Sequence, residues 1–131
     1  MTDKETLRHY RLAQSIETLA DAEAMVRGDF SPRSIVNRAY YAMFYALMAL
    51  FIHAGVAQKT SKHSGVVALF DKEFVHTGRI ERQYSKMLHR MFDARQESDY
   101  RELVTCSREE AAEAVRMARD FVNEIKKIIG K

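Results

Sequence analysis

The residues that staple or punctuate a fold are scarce in this chain: one cysteine, one proline, five glycines and no tryptophan in 131 residues. The single cysteine, Cys106, excludes an intrachain disulfide and any zinc site built on several thiolates, a usage that fits a reducing cytosol. So little proline and glycine leaves poor material for the turns of a many-stranded sheet. The first ten residues, MTDKETLRHY, are polar and charged, so no signal peptide is expected. The longest wholly apolar segment, Ala39 to Ile52, is too short to span a bilayer. There is no glycine-rich phosphate loop, no dinucleotide fingerprint and no helical HExxH spacing, so neither a cofactor nor a metal site is expected. The expectation from these absences is a soluble, cytoplasmic protein.

What is abundant is Ala, Leu, Met, Glu, Lys and Arg, the better helix formers. Thr2 with Glu5 has the form of a capping box and opens a first helix, whose apolar stripe is Leu12, Ile16, Leu19 and Val26, with Gly28 as terminator. Ser31-Pro32 reads as the cap and first turn of a central helix that runs to about His53 and stops at Gly55. Ser61 is a candidate cap for a short third helix carrying Val66, Leu69, Phe70 and Phe74, stopped by Gly78. A fourth stripe runs Ile80, Tyr84, Leu88, Met91, and the pattern lapses beyond about Glu97. Ser107 and Glu110 form a second capping box before Ala111, Ala114, Val115, Ala118, Phe121, Val122, Ile125 and Ile129. With no repeat or linker, the pattern predicts an all-α chain, one domain over residues 1–131. Its form is an antiparallel up-and-down helical bundle of four long helices and one short one.

Three places could carry chemistry. In Asn37 to Phe51, NRAYYAMFYALMALF, the residues Arg38, Tyr41 and Tyr45 share one helical face, with Asn37 on the neighbouring one. A helix this apolar belongs in the middle of a bundle, where an arginine needs either an internal acceptor network or an anionic ligand. Arg95 continues the core-facing stripe of the fourth helix and is followed by the polar run RQESDYR; it suits a C-terminal cap or a phosphate ligand. Arg79, Arg82, Lys86 and His89 or Arg90 recur at spacings of three and four and so predict a basic ridge, either a solvated face or a contact for RNA. The formal net charge is only +3, but Lys59 to Arg95 holds eight Lys or Arg against four Asp or Glu, so an anionic partner is expected there. Cys106 sits in a polar loop and reads as incidental.

Three segments taken in order, NRAYYAMFYA in the second helix, KHSGVVALFDKEFVHTG at Lys62 to Gly78 and RQESDYRELVTCSREEA at Arg95 to Ala111, resemble the HEPN domain family, in its small stand-alone archaeal and bacterial branch. The resemblance implies a helical bundle that commonly forms a homodimer and associates with RNA or nucleotides. It often acts beside a small nucleotidyltransferase in a toxin–antitoxin-like pair. Many members are metal-independent ribonucleases, with an arginine followed after four to six residues by a histidine. Arg95 falls where that arginine is expected, but Asp99 and Tyr100 stand where the histidine would be. The resemblance therefore makes Arg95, Asp99 and Tyr100 the catalytic candidates, and Asn37, Arg38, Tyr41, Tyr45, Arg79, Arg82, Lys86 and His89 those for binding. Arg38 is followed after six residues by Tyr45, a position where relatives often carry histidine. The one literal match, Arg82 to His89, is a spacing that this many arginines and histidines produce by chance. Tyrosine and aspartate are poor bases near neutral pH, so binding is better supported than catalysis, and whether the chain is an enzyme stays open. The alternatives carried forward are a metal-independent ribonuclease and a purely structural helical subunit.

Overall fold

A computed structural model describes residues 2–58, 62–100 and 106–130, with side chains described as far as Arg95 in the fourth helix. The described residues are helical throughout apart from their connections: α1 (Asp3–Arg27), α2 (Pro32–Ala54), α3 (His63–Phe70), α4 (Arg82–Tyr100) and α5 (Arg108–Ile129). The predicted helical bundle is the observed one. Thr2 caps α1 by accepting from the Glu5 N–H, and Ser31 caps α2 by accepting from the Ser34 N–H with Pro32 at the first helical position. Around α5 both halves of the Ser107–Glu110 capping box are made. The expected cap at Ser61 lies outside the described residues; the residue preceding α3 is Lys62, whose side chain makes no cap bond.

Helix α2 is the centre of the bundle and packs against α1, α5 and α4. The short connection Gly28 to Ser31 turns the chain back, so α1 and α2 form an antiparallel pair. Ala39, Ala42, Ala46 and Ala49 form a row at spacings of three and four along α2, and all are fully buried. The Ser15 hydroxyl donates to the Ala42 carbonyl at 2.6 Å, a contact that small side chains on both helices permit. Here the structure departs from the expected stripe of α1. Ser15, Thr18, Leu19 and Ala22 are buried, whereas Ile16 is 41 % exposed. Close approach to the alanine row selects small residues for the inner face and turns Ile16 outward.

The main core combines Tyr40, Met43, Leu47, Leu50 and Phe51 of α2 with Phe70, Phe74, Leu88, Met91, Phe121 and Ile125. Phe70 ties α3 to α5 through Phe121, with ring centroids 5.6 Å apart. Beyond Phe70 the third helix widens into a π-helical turn, Asp71–Val75, and Gly78 then reverses direction at φ 79°. Gly55 stops α2 in the same left-handed conformation, at φ 71°. The fourth helix runs to Tyr100, past the point where the apolar pattern lapses. A second correction concerns length. Helix α2 has 23 residues and is long and apolar enough to cross a membrane by length and composition, because the helix continues on both sides of the apolar segment Ala39 to Ile52. In this fold 67 % of its most apolar window is buried among the other helices, the environment of a core helix.

Candidate functional site

An aromatic cluster gathers around Tyr40, Tyr41 and Phe44 in the middle of α2. Tyr40 and Tyr41 are adjacent on the helix and their rings meet edge to face, 5.5 Å between centroids. Phe44, one turn on, contacts both rings at 6.2 Å. His63, at the start of α3, lies over this surface: its ring stacks on Phe44 at 4.2 Å and on Tyr40 at 5.5 Å, and meets Tyr41 edge-on at 5.7 Å. From α4, Phe92 touches Tyr40, and the Arg95 guanidinium lies 5.3 Å from the Tyr40 centroid and 5.4 Å from that of Tyr41. Arg95 also donates a long hydrogen bond, 3.4 Å, to the Tyr41 hydroxyl. A cation and an imidazole thus flank the same two tyrosine rings.

Polar chemistry in this cluster is set by burial. Tyr40 is fully buried and its hydroxyl lies 3.0 Å from His63 Nδ1, in a hydrogen bond whose direction the imidazole tautomer decides. Burial drives the Tyr40 hydroxyl well above the usual tyrosine range, with Arg95 partly opposing and Tyr41 adding to the rise. For His63, burial first and the Arg95 charge second hold the imidazole below its ordinary value of 6.5. At neutral pH the site therefore presents a neutral imidazole beside a fixed positive charge. Neither His63 nor Tyr40 was among the sequence-derived candidates, because the histidine was sought four to six residues downstream of an arginine, after Arg38, Arg82 or Arg95. The signal that could have found it was His63 itself, inside the segment KHSGVVALFDKEFVHTG.

The other candidates are dispersed. Arg38 is not sealed in the core: its side chain is 41 % exposed and it lies 4.0 Å from Asp21, itself 57 % exposed. It lines a groove of about 460 Å³ between α1 and α2, with Tyr10, Gln14, Glu17 and Tyr45, and Arg95 is not part of that lining. The acidic rim of this groove leaves no net positive field for an anion. Tyr41 and Tyr45 still touch, at 5.9 Å, but Tyr41 faces Arg95 while Tyr45 lines the groove. Asn37 is half-buried beside them.

The basic ridge is shortened. Arg79 precedes α4 and lies over the Phe74 ring at 4.9 Å, lining a separate cleft of about 560 Å³ with Gly55, Leu69, Lys72 and Glu73. Arg82, Lys86, His89 and Arg90 are exposed on α4. Lys86 and Arg90 share a groove with Glu113, Arg116 and Asp120 of α5, so acids interleave with the cations. His89 Nε2 lies 2.5 Å from Asp71 Oδ2, and the Ser85 hydroxyl donates to Asp71 Oδ1 at 2.7 Å, which fastens the π-helical turn to α4. Asp99 and Tyr100 fall in the last turn of α4, and their side chains lie outside the described residues. Burial, with Glu110 second, raises the Cys106 thiol, the opposite of activation. Among the described residues no cluster of metal-binding side chains occurs.

Comparison with known proteins follows the same lines. A family profile described as HEPN domain matches residues 9–128. A UPF0332 protein of Thermotoga maritima is 39 % identical over 129 residues, 98 % of this chain and 96 % of that protein. Two chains of Methanocaldococcus jannaschii, each bearing the name "Putative toxin", are also similar. One is 33 % identical over 94 residues (72 % of this chain, 63 % of its own length). The other is 35 % identical over 97 residues (74 % and 70 %).

Proposed function

Because this chain belongs to the HEPN domain family, we propose that it is an RNA- or nucleotide-binding helical module acting as one domain over residues 1–131. The observation that carries the reading is Arg95 laid against Tyr40 and Tyr41 beside His63. A guanidinium supplies a phosphate ligand and the half-buried Tyr41 offers a hydroxyl and ring surface, a combination suited to single-stranded nucleic acid. The exposed cations Arg82 and Lys86 on the same helix add a sequence-independent attraction. Two relatives carry the name of toxins. On this reading the protein is the helical member of a cytoplasmic toxin–antitoxin-like pair, with a small nucleotidyltransferase as partner. A homodimer is part of the same proposal, supported by the exposed Leu7, Tyr10, Ile16 and Phe30.

Fluorescence anisotropy with labelled single-stranded RNA and with nucleotides tests the reading. Arg95→Ala is expected to weaken binding about tenfold or more, the usual worth of a charged hydrogen bond to phosphate. Arg82→Ala should cost less and only at low salt. An Arg95→Ala protein that binds as tightly as the parent removes the site. Co-purification with a co-expressed nucleotidyltransferase, and molar mass by light scattering, test the partner and the dimer separately.

A further inference from the structure

We propose that the groove between α1 and α2 binds a short aliphatic diamine or polyamine, held by the carboxylates of Glu17 and Asp21. The inference stands apart from the RNA-binding reading, since Arg95 is not part of this lining. Charge is its first support. Glu17 and Asp21 stand one turn apart on the same face of α1, and Arg38 is the single cation among the lining residues. Arg38 does not neutralise the pair. It meets Asp21 only at 4.0 Å with both side chains partly in solvent, and Glu17 has no ion-pair partner among the described residues. Arg11 is engaged elsewhere: its guanidinium lies 5.6 Å from the Tyr10 centroid and donates to Gln14 Oε1 at 2.9 Å. The groove therefore keeps an excess of negative charge.

The second support is a buried hydroxyl. Thr18 is 3 % exposed and lines the same groove, between the two acids along α1. Its hydroxyl has no hydrogen-bond partner among the described residues. A buried polar group left unmatched is costly, so a donor that reaches into the groove is favoured there. An ammonium group carries several N–H donors, enough to serve Thr18 Oγ1 and a carboxylate together. Carboxylate residues one turn apart are about 5–6 Å from each other at their Cβ atoms, a separation that the methylene chain of a diamine spans. Tyr10 and Tyr45 complete the walls with ring surface, which attracts a cation and covers its methylenes. The volume, about 460 Å³, suits a small organic ligand. A bare metal ion would leave most of it unfilled, and among the described residues no cluster of three metal-binding side chains occurs.

The test is calorimetric titration of the full chain with putrescine and with spermidine in about 0.15 M salt, where loose attraction to surface charge is screened. One saturable site per chain is expected, with spermidine the tighter ligand. Glu17→Gln and Asp21→Asn should each weaken spermidine about tenfold, the usual worth of a charged hydrogen bond. Both positions are exposed, so these variants keep the fold, which far-UV circular dichroism checks. Thr18→Val, which keeps the shape, should cost about fivefold. Glu109→Gln at the exposed start of α5 serves as the control for general surface charge and should change nothing. Arg38→Ala decides the sign: it should tighten spermidine, because it removes the cation that competes for Asp21. A weaker affinity in Arg38→Ala would mean that the groove prefers a ligand with an anionic group, and overturns the proposal. So does a titration that fails to saturate at millimolar spermidine, equal binding by Glu17→Gln and Asp21→Asn, or full displacement of spermidine by an equal concentration of magnesium.

Discussion

At the scale of single residues, the outcome turns on which polar groups the core encloses. Tyr40 is enclosed and Arg38 is not. Tyr40→Phe removes a buried hydroxyl bonded to His63 and should lower stability by about 1 kcal/mol in a urea titration. Arg38→Met, by contrast, breaks only a long and exposed contact with Asp21, and should shift stability by less than about 0.5 kcal/mol. A drop of several kcal/mol would mean that Arg38 is structural after all. His63 adds a pH dependence. Its folded-state pKa is depressed below 6.5 by burial and by Arg95, so the unfolded chain binds the proton more readily. Stability should therefore be full above pH 6.5 and decline as pH falls through the folded value. The decline should be shallower in His63→Gln, followed as Tm across buffers from pH 7.5 to 4.5. An identical slope in the two proteins would show that carboxylates dominate the range.

Among the helices, packing size decides more than propensity does. The inner face of α1 is Ser15, Thr18 and Ala22 with Leu19, set against the alanines of α2. Ala22 is fully buried, so Ala22→Leu should overpack this interface and cost about 1–3 kcal/mol. Ile16→Glu, on the outer face, should leave the Tm of the monomer nearly unchanged, which reverses what the apolar pattern alone would predict. The start of α5 gives an independent gauge. Ser107→Ala breaks a capping box and should cost about 1 kcal/mol, and Ser107→Asp should recover most of it, both read from thermal melts. Between α3 and α4, the π-helical turn is secured by Asp71 bonding both Ser85 and His89. That contact joins His89, half-exposed on α4, to the turn.

For the whole molecule, charge separation is local rather than global. The cations of α4 face acids of α5 across a shared groove, and the net charge is small. RNA affinity should accordingly depend only moderately on salt. With about two to four phosphates engaged, the slope of log affinity against log salt should be no steeper than about −3 for a single strand. A much steeper slope would indicate an extended electrostatic surface and would move the binding face from Arg95 to the ridge.

Periodicity and caps determined the helices by local physics. The capping residues Thr2, Ser31 and Ser107, the terminators Gly28 and Gly55, and the α5 stripe through Ile125 all act within a turn or two of their own positions. The α5 stripe was legible because each apolar residue faces a single neighbouring core. The face of α1 was not, because the alanine row opposite it rewards small side chains over large ones. The candidate site was half legible. Arg95 could be placed on the inward side of α4 from spacing, and Tyr41 on a helical face of α2. Its histidine could not, since His63 stands 32 residues before Arg95 and only the packing of α3 against α2 and α4 brings them to the same tyrosines. The capped starts of α1, α2 and α5 are set by hydrogen bonds between near neighbours, so the sequence determined those by itself. Which charges are enclosed, and which distant side chains share a ring face, depends on how whole helices fit together, and that only the tertiary structure decided.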